Sequence, residues 1–223
     1  AAVEVQAYAC LVAIMSRGHG YHKVSEQRLF KATKENGMPT PSVNSAGALI
    51  DGMHSLGMKK VSIICPYMKP LTKLVVDYIE NQGIEVQDFL ALEIPNNLEV
   101  AAQDPNAPAE LWKKLDTKGI DGIVASACVQ MPSLPAVEKI EKMSGLPTLS
   151  ASIATTWSIL KELRLNQRLV QRTQLYNDLF EIPTSDEIMD LLNTENNQIG
   201  IFPELKHPTY FKYFRISAFP FWN

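Results

Sequence analysis

Val3-Glu4-Val5-Gln6-Ala7-Tyr8-Ala9-Cys10 and Gly122-Ile123-Val124-Ala125-Ser126-Ala127-Cys128 are near-copies of one setting. Each is a short β-branched run, then small residues, then a thiol. Such a run reads as a buried parallel strand, and the small residues after it as its carboxyl end. Open α/β sheets place ligands at the carboxyl ends of their strands. The pair therefore predicts two related sheets, each offering one sulfur to a shared, accessible cleft. The repeat continues past the cysteines. Each cysteine strand leads to a helix, a Pro-led short strand and a Ser/Ala-rich helix, the last two being Pro41 to Leu56 in one copy and Pro147 to Leu163 in the other.

Strand and helix signals alternate throughout this region, which predicts α/β with mostly parallel sheets. After Cys10 a polar loop, Ser16 to Gly20, precedes a helix from Ser25, as N-cap, to Asn36. Strand 42–44 and helix 46–56 complete the first copy. Strand 60–65, helix 71–82, strand 84–90, a long polar loop from Pro95 to Pro108 and helix 109–115 lead to the Cys128 strand. Helix 134–144, strand 148–150 and helix 153–163 follow. The expected organisation is a first half from residues 1–57 with 151–166, a second half from 58–150, and a distinct piece over 168–223. The second half has four strands. The first has only two, and its opening, with no initiator Met, reads as a chain cut from something longer.

A hydrophobic content of 46% with 20% charged residues is globular composition, and 223 residues can bury a substantial core. The net charge of −3 offers no basic field, which argues against nucleic acid or an anionic membrane as partner. No apolar run approaches the roughly 18 residues needed to cross a bilayer. Without a positive segment ahead of an apolar one, the start does not read as a signal peptide. Three cysteines cannot all pair, so a reducing cytoplasm is the expected location. No Cys-x-x-Cys pair or His/Cys cluster has zinc spacing, and no structural metal is expected.

A thiol is a strong nucleophile only as thiolate, and clustered backbone N–H groups at strand exits and helix starts favour that form. Cys10 and Cys128 both occupy strand exits, with Pro132 near the start of the helix after Cys128. A single buried cysteine reads as packing; a matched pair at equivalent strand ends reads as chemistry. Cys65 ends an apolar run and reads as core. Tyr67 is either a carboxylate donor or a loop aromatic covering the core. Asn96 and Asn97 read equally as ligand donors or turn residues. His19 and His22 read as loop surface, and Ser45, Ser150 and Ser152 as helix caps or anion-binding helix starts.

Four segments carry a family resemblance: Tyr8-Ala9-Cys10-Leu11-Val12-Ala13, Ser45-Ala46-Gly47-Ala48-Leu49, Pro66-Tyr67-Met68-Lys69-Pro70 and Ser126-Ala127-Cys128-Val129-Gln130-Met131-Pro132-Ser133-Leu134-Pro135. Over residues 1–166 the chain resembles the maleate cis–trans isomerases of the aspartate/glutamate racemase superfamily. The resemblance implies two pseudo-symmetric Rossmann-like parallel-sheet domains, the first truncated at its N-terminus. It implies Cys10 as nucleophile, Cys128 as proton handler, and Tyr67, Asn97 and Val129 as substrate-binding residues. It implies a small dicarboxylate substrate, no cofactor, and a homodimer as a compatible assembly. The family's first strand and the loop after it, with a further substrate-binding Asn, have no counterpart here. A two-cysteine amino-acid or hydantoin racemase is the nearest alternative. An arylmalonate-type decarboxylase would use one thiol and leave Cys10 idle.

Over 168–223 the segments Phe180-Glu181-Ile182-Pro183-Thr184 and Gly200-Ile201-Phe202-Pro203-Glu204-Leu205-Lys206-His207-Pro208-Thr209-Tyr210-Phe211 resemble a fragment of glycerophosphodiester phosphodiesterase, a TIM-barrel family. Glu204 would then match a metal ligand, with Lys206 beside it. The family's His-Arg-Gly start and upstream acidic ligands are missing, and one carboxylate cannot hold a divalent ion well. No metal is expected unless Glu204 belongs to a complete phosphodiesterase.

Overall fold

Lys60-Val61-Ser62-Ile63-Ile64-Cys65 carries an apolar strand signal, and it forms an interior strand of the larger sheet in the computed structural model, which describes residues 3–164. In chain order the elements are β1 (Gln6–Tyr8), α1 (Leu11–Met15), α2 (Tyr21–Glu35), β2 (Ser42–Asn44), α3 (Ser45–Ser55), β3 (Lys60–Cys65), α4 (Lys69–Asn81), β4 (Glu85–Ala91), α5 (Asn97–Ala101) and α6 (Pro108–Leu111). A 3₁₀ turn over Trp112–Lys114 precedes β5 (Gly122–Ser126), α7 (Leu134–Ser144), β6 (Thr148–Ser150) and α8 (Ala151–Glu162).

The larger sheet has order β4-β3-β5-β6 and the smaller is the pair β1-β2, with every pairing parallel. Parallel strands covered on both faces need near-continuous apolar sequence. Ile63, Ile64, Ile123 and Val124 meet that need and are wholly buried. Burial stabilises each such side chain by about 1.5–3 kcal/mol relative to exposure. α4 adds Val75, Tyr78 and Ile79 to this core, and α7 adds Ala136, Val137 and Ile140. At Gly122 the backbone runs so close to its neighbours that a Cβ would stand 2.4 Å from Met58 Cε and 2.9 Å from the Pro147 carbonyl oxygen.

The anticipated repeat is present as β1-α2-β2-α3 and β5-α7-β6-α8, with one short extra helix, α1, inserted after Cys10. Its final helices are started alike. Asn44 Oδ1 accepts the Gly47 N–H at 2.9 Å, and Ser150 Oγ accepts the Ile153 N–H at 3.3 Å. These caps satisfy donors that a helix start leaves unpaired. α3 and α8 then pack on each other through small residues. Thr155 Oγ1 donates to Ser45 Oγ at 3.0 Å, joining residues 110 apart in sequence.

Three expectations need correction. β1 is not a buried strand: Ala7 and Tyr8 are exposed, because among the described residues it pairs only with β2. α2 begins at Tyr21 rather than after Ser25. Gly20 adopts the left-handed conformation (φ 72°) that ends the loop, and buried His22 anchors the first turn. The polar loop from Pro95 to Pro108 contains α5. The tail over 168–223, Glu204 included, lies outside the described residues.

Candidate active site

The site is assembled where β3 and β5 end side by side. After Cys65 the chain turns through Pro66 and Tyr67 into α4, and the exit of β4 zips onto it. Leu92 N–H donates to the Cys65 carbonyl at 2.9 Å, Glu93 N–H to that of Tyr67 at 3.2 Å, and Ile94 N–H to that of Pro66 at 2.9 Å. Thr72 Oγ1 donates to the Tyr67 carbonyl at 3.2 Å. The Tyr67 phenol is thereby aimed across the strand ends, and its hydroxyl donates to the Ala127 carbonyl at 3.1 Å.

Cys128 sits in a turn that Ser126 shapes. Ser126 Oγ donates to the Cys128 carbonyl at 2.9 Å and accepts the Cys128 N–H at 3.3 Å. The Gln130 and Met131 N–H groups and the Tyr67 hydroxyl are placed to donate to the Cys128 sulfur, each favouring thiolate. Burial outweighs them and pushes the thiol up, so Cys128 is protonated at neutral pH. The phenol of Tyr67 has one proton for two acceptors, the Ala127 carbonyl and this sulfur. Burial, then the neighbouring Cys128, pushes Tyr67 upward too.

Cys10 stands at the N-cap of α1, half-buried, with extended backbone (φ −133°, ψ 92°). Negative charge there disfavours charge on both Cys128 and Tyr67, which places the three in one electrostatic neighbourhood. Cys65, wholly buried beneath them, has its thiol pushed far up by desolvation and is inert packing, as its sequence implied. Val129 is half-buried and packs on the core beside the turn. Asn97, the first residue of α5, is exposed, and among the described residues its side-chain amide has no hydrogen-bond partner. Its carbonyl accepts from Gln130 Nε2 at 2.9 Å.

Cys128 lies deeper than an open cleft implies, at 6% exposure. The N–H groups serving it come from the turn and not from the following helix, which begins only at Leu134. Ser45, Ser150 and Ser152 are occupied structurally: Ser45 by Thr155, Ser150 by its cap and by Ser152. His19 pairs with Asp77 at 2.6 Å. His22 is no surface residue; its Nδ1 meets the Tyr78 hydroxyl at 2.5 Å, and burial lowers its pKa. Sequence reasoning passed over Ser126 and Gln130. A hydroxyl two residues before a turn cysteine is a pattern that closes on the backbone locally, whereas nothing local marks Gln130. It also passed over Glu26, whose Oε1 accepts from Asn44 Nδ2 at 2.8 Å. Among the described residues no cluster of His, Cys, Asp and Glu could hold a metal ion, and no helix is long and apolar enough to cross a membrane.

Residues 6–176 match the family model described as arylmalonate decarboxylase. The chain belongs to that family. Its relatives include the maleate isomerase of Geobacillus stearothermophilus, 56% identical over 73% of this chain and 64% of that protein. The maleate isomerase of Alcaligenes faecalis is 53% identical over 76% of this chain and 67% of its own length. The chain thus spans about two thirds of the curated relatives it matches. Among solved structures, a cysteine-to-serine mutant of the Nocardia farcinica maleate cis–trans isomerase, with a covalently bound succinylcysteine intermediate, superimposes with a TM-score of 0.71 at 40% identity, covering 73% of this chain and 66% of that one. Arylmalonate decarboxylase itself shares the fold, with a TM-score of 0.59 at 17% identity, covering 73% of this chain and 66% of that one. The family match runs to residue 176, past the join expected at 168.

Proposed function

We propose that the protein of which this chain is part isomerises maleate to fumarate without a cofactor, in a cleft between two pseudo-symmetric halves. The observation that carries the reading is the asymmetry of the two thiols. Cys10 is the more accessible, and Cys128 is a buried, protonated thiol ringed by donors. A nucleophile needs the first environment and a proton donor the second.

The Cys10 thiolate adds to one alkene carbon, forming a C–S bond while the π electrons move to the neighbouring carbon and its carboxylate. Cys128 gives its proton to that carbon, leaving a succinyl thioether on Cys10. The former double bond is now single and rotates. The Cys128 thiolate, held by the N–H groups of its turn, takes the proton back; the double bond re-forms and Cys10 departs from fumarate. Tyr67, Asn97 and the main chain near Val129 hold the carboxylates, so that charge building in the intermediate meets fixed donors. The relatives' maleate isomerase names and the succinylcysteine seen in one of them support this reading. The thiols, free in all three described cysteines, suit a reducing cytoplasm.

Intact mass after incubation with maleate tests it. Wild-type chain and Cys128→Ser gain the mass of one maleic acid on Cys10, Cys10→Ser gains none, and Cys128→Ser turns over about 10²–10⁴-fold more slowly. Absence of both adduct and fumarate overturns the reading, and racemisation of an amino acid or hydantoin without adduct selects a two-cysteine racemase instead. The family match favours a second reading, decarboxylation of an arylmalonate. It is selected if CO₂ release survives Cys10→Ala. For the tail, the motif around Glu204 supports only an incomplete diesterase, and no release of glycerol 3-phosphate with calcium or magnesium is expected.

A further inference from the structure

α5 carries Asn97 on a short helix whose hydrogen bonds are almost all internal. Asn96 Oδ1 caps Leu98 N–H at 2.8 Å, and Gln103 Nε2 returns to the Glu99 carbonyl at 3.0 Å. Upstream, the backbone zipper onto β3 stops at Ile94. Val100 is its buried anchor. Among the described residues, the only hydrogen bond from 95–103 to another part of the chain is Gln130 Nε2 to the Asn97 carbonyl. Gln130 also belongs to the turn that holds Cys128. Its main chain serves the sulfur while its side chain reaches the residue whose free amide faces solvent.

We propose that Gln130 is a positioning residue, a strut that fixes the distance between the Asn97 amide and the Cys128 turn. This rests on the isomerase reading above and adds to it a residue that touches neither substrate nor sulfur with its side chain. A four-carbon diacid has a fixed span between carboxylate and reacting carbon. If α5 drifts, the amide loses the carboxylate while the thiols keep their geometry. The loss then falls on substrate binding and not on the chemical steps.

Gln130→Met keeps length and main-chain N–H groups but removes the donor. Gln130→Lys keeps a donor at the end of a chain of similar length. In the 223-residue chain, Gln130→Met raises KM for maleate about fivefold, the worth of one neutral hydrogen bond, and lowers kcat less than about twofold. Gln130→Lys recovers most of that loss. Amide hydrogen exchange over 97–102 quickens in Gln130→Met alone. Unchanged exchange overturns the strut. Faster exchange with unchanged KM, or a loss in kcat alone, overturns the positioning role and leaves a fold contact. Absent turnover in the parent chain instead overturns the isomerase reading. The two failures are separable because exchange needs no substrate.

Discussion

Glu26 gives the sharpest test of the structure's energetics. Its carboxyl is half-buried on α2, where it accepts from Asn44 Nδ2, the amide that also donates to the His22 carbonyl at 3.0 Å. Burial pushes its pKa from 4.5 up to about 7; Asp51 and Glu162 add to the rise, while a main-chain hydrogen bond from Asn44 and the charge of Lys23 oppose it. The folded state therefore holds this proton more tightly than the unfolded one. The contribution to stability is fully present below the unfolded value, near pH 4.5, and is lost as pH rises through the folded value near 7. The difference of about 2.5 units corresponds to about 3 kcal/mol at 1.36 kcal/mol per unit. Partial contact with solvent reduces the expected figure to about 1–2 kcal/mol. Glu26→Gln keeps an oxygen for Asn44 and cannot ionise. It should unfold in urea with the same stability as the parent near pH 4 and with about 1–2 kcal/mol more near pH 8, at unchanged m-value. A difference independent of pH, or a parent more stable near pH 8, refutes the assignment of this carboxyl as a desolvated acid.

Gly122→Ala should cost about 1–3 kcal/mol, because Met58 can swing away from the new methyl group but the Pro147 carbonyl, 2.9 Å from it, cannot. Urea unfolding checks this, and a loss under about 0.5 kcal/mol contradicts the packing. Alkylation of the native chain with iodoacetamide should modify Cys10 first, Cys128 slowly and Cys65 only after unfolding, as read by peptide mass mapping. Cys128 reacting ahead of Cys10 would invert the roles assigned to them.

What could be read from sequence was what is local or repeated. β3, β6 and α7 have the boundaries that their apolar periods and Gly and Pro punctuation predict. The paired settings of Cys10 and Cys128 announced the two parallel sheets. The depth of Cys128 was not legible, because exposure depends on Tyr67, which arrives from another strand. The role of Gln130 was hidden for the same reason: its partner is 33 residues away. His22 looked like loop surface until Tyr78, 56 residues downstream, supplied a buried hydroxyl for it. β1 misled in the opposite direction. Val3 and Val5 lead into it with the composition of an interior strand, yet the strand itself is only Gln6–Tyr8, and burial is set by neighbours.

The hydrogen bond between Thr155 and Ser45 has a consequence for biogenesis. The apolar residues of α3, among them Ala46, Leu49 and Met53, find part of their cover in a helix made 110 residues later. At about 5–20 residues per second, a ribosome takes on the order of 5–20 s to deliver it. For that interval α3 lacks the part of its cover that α8 supplies. Translation pauses between Gly57 and Ala151 would lengthen its wait.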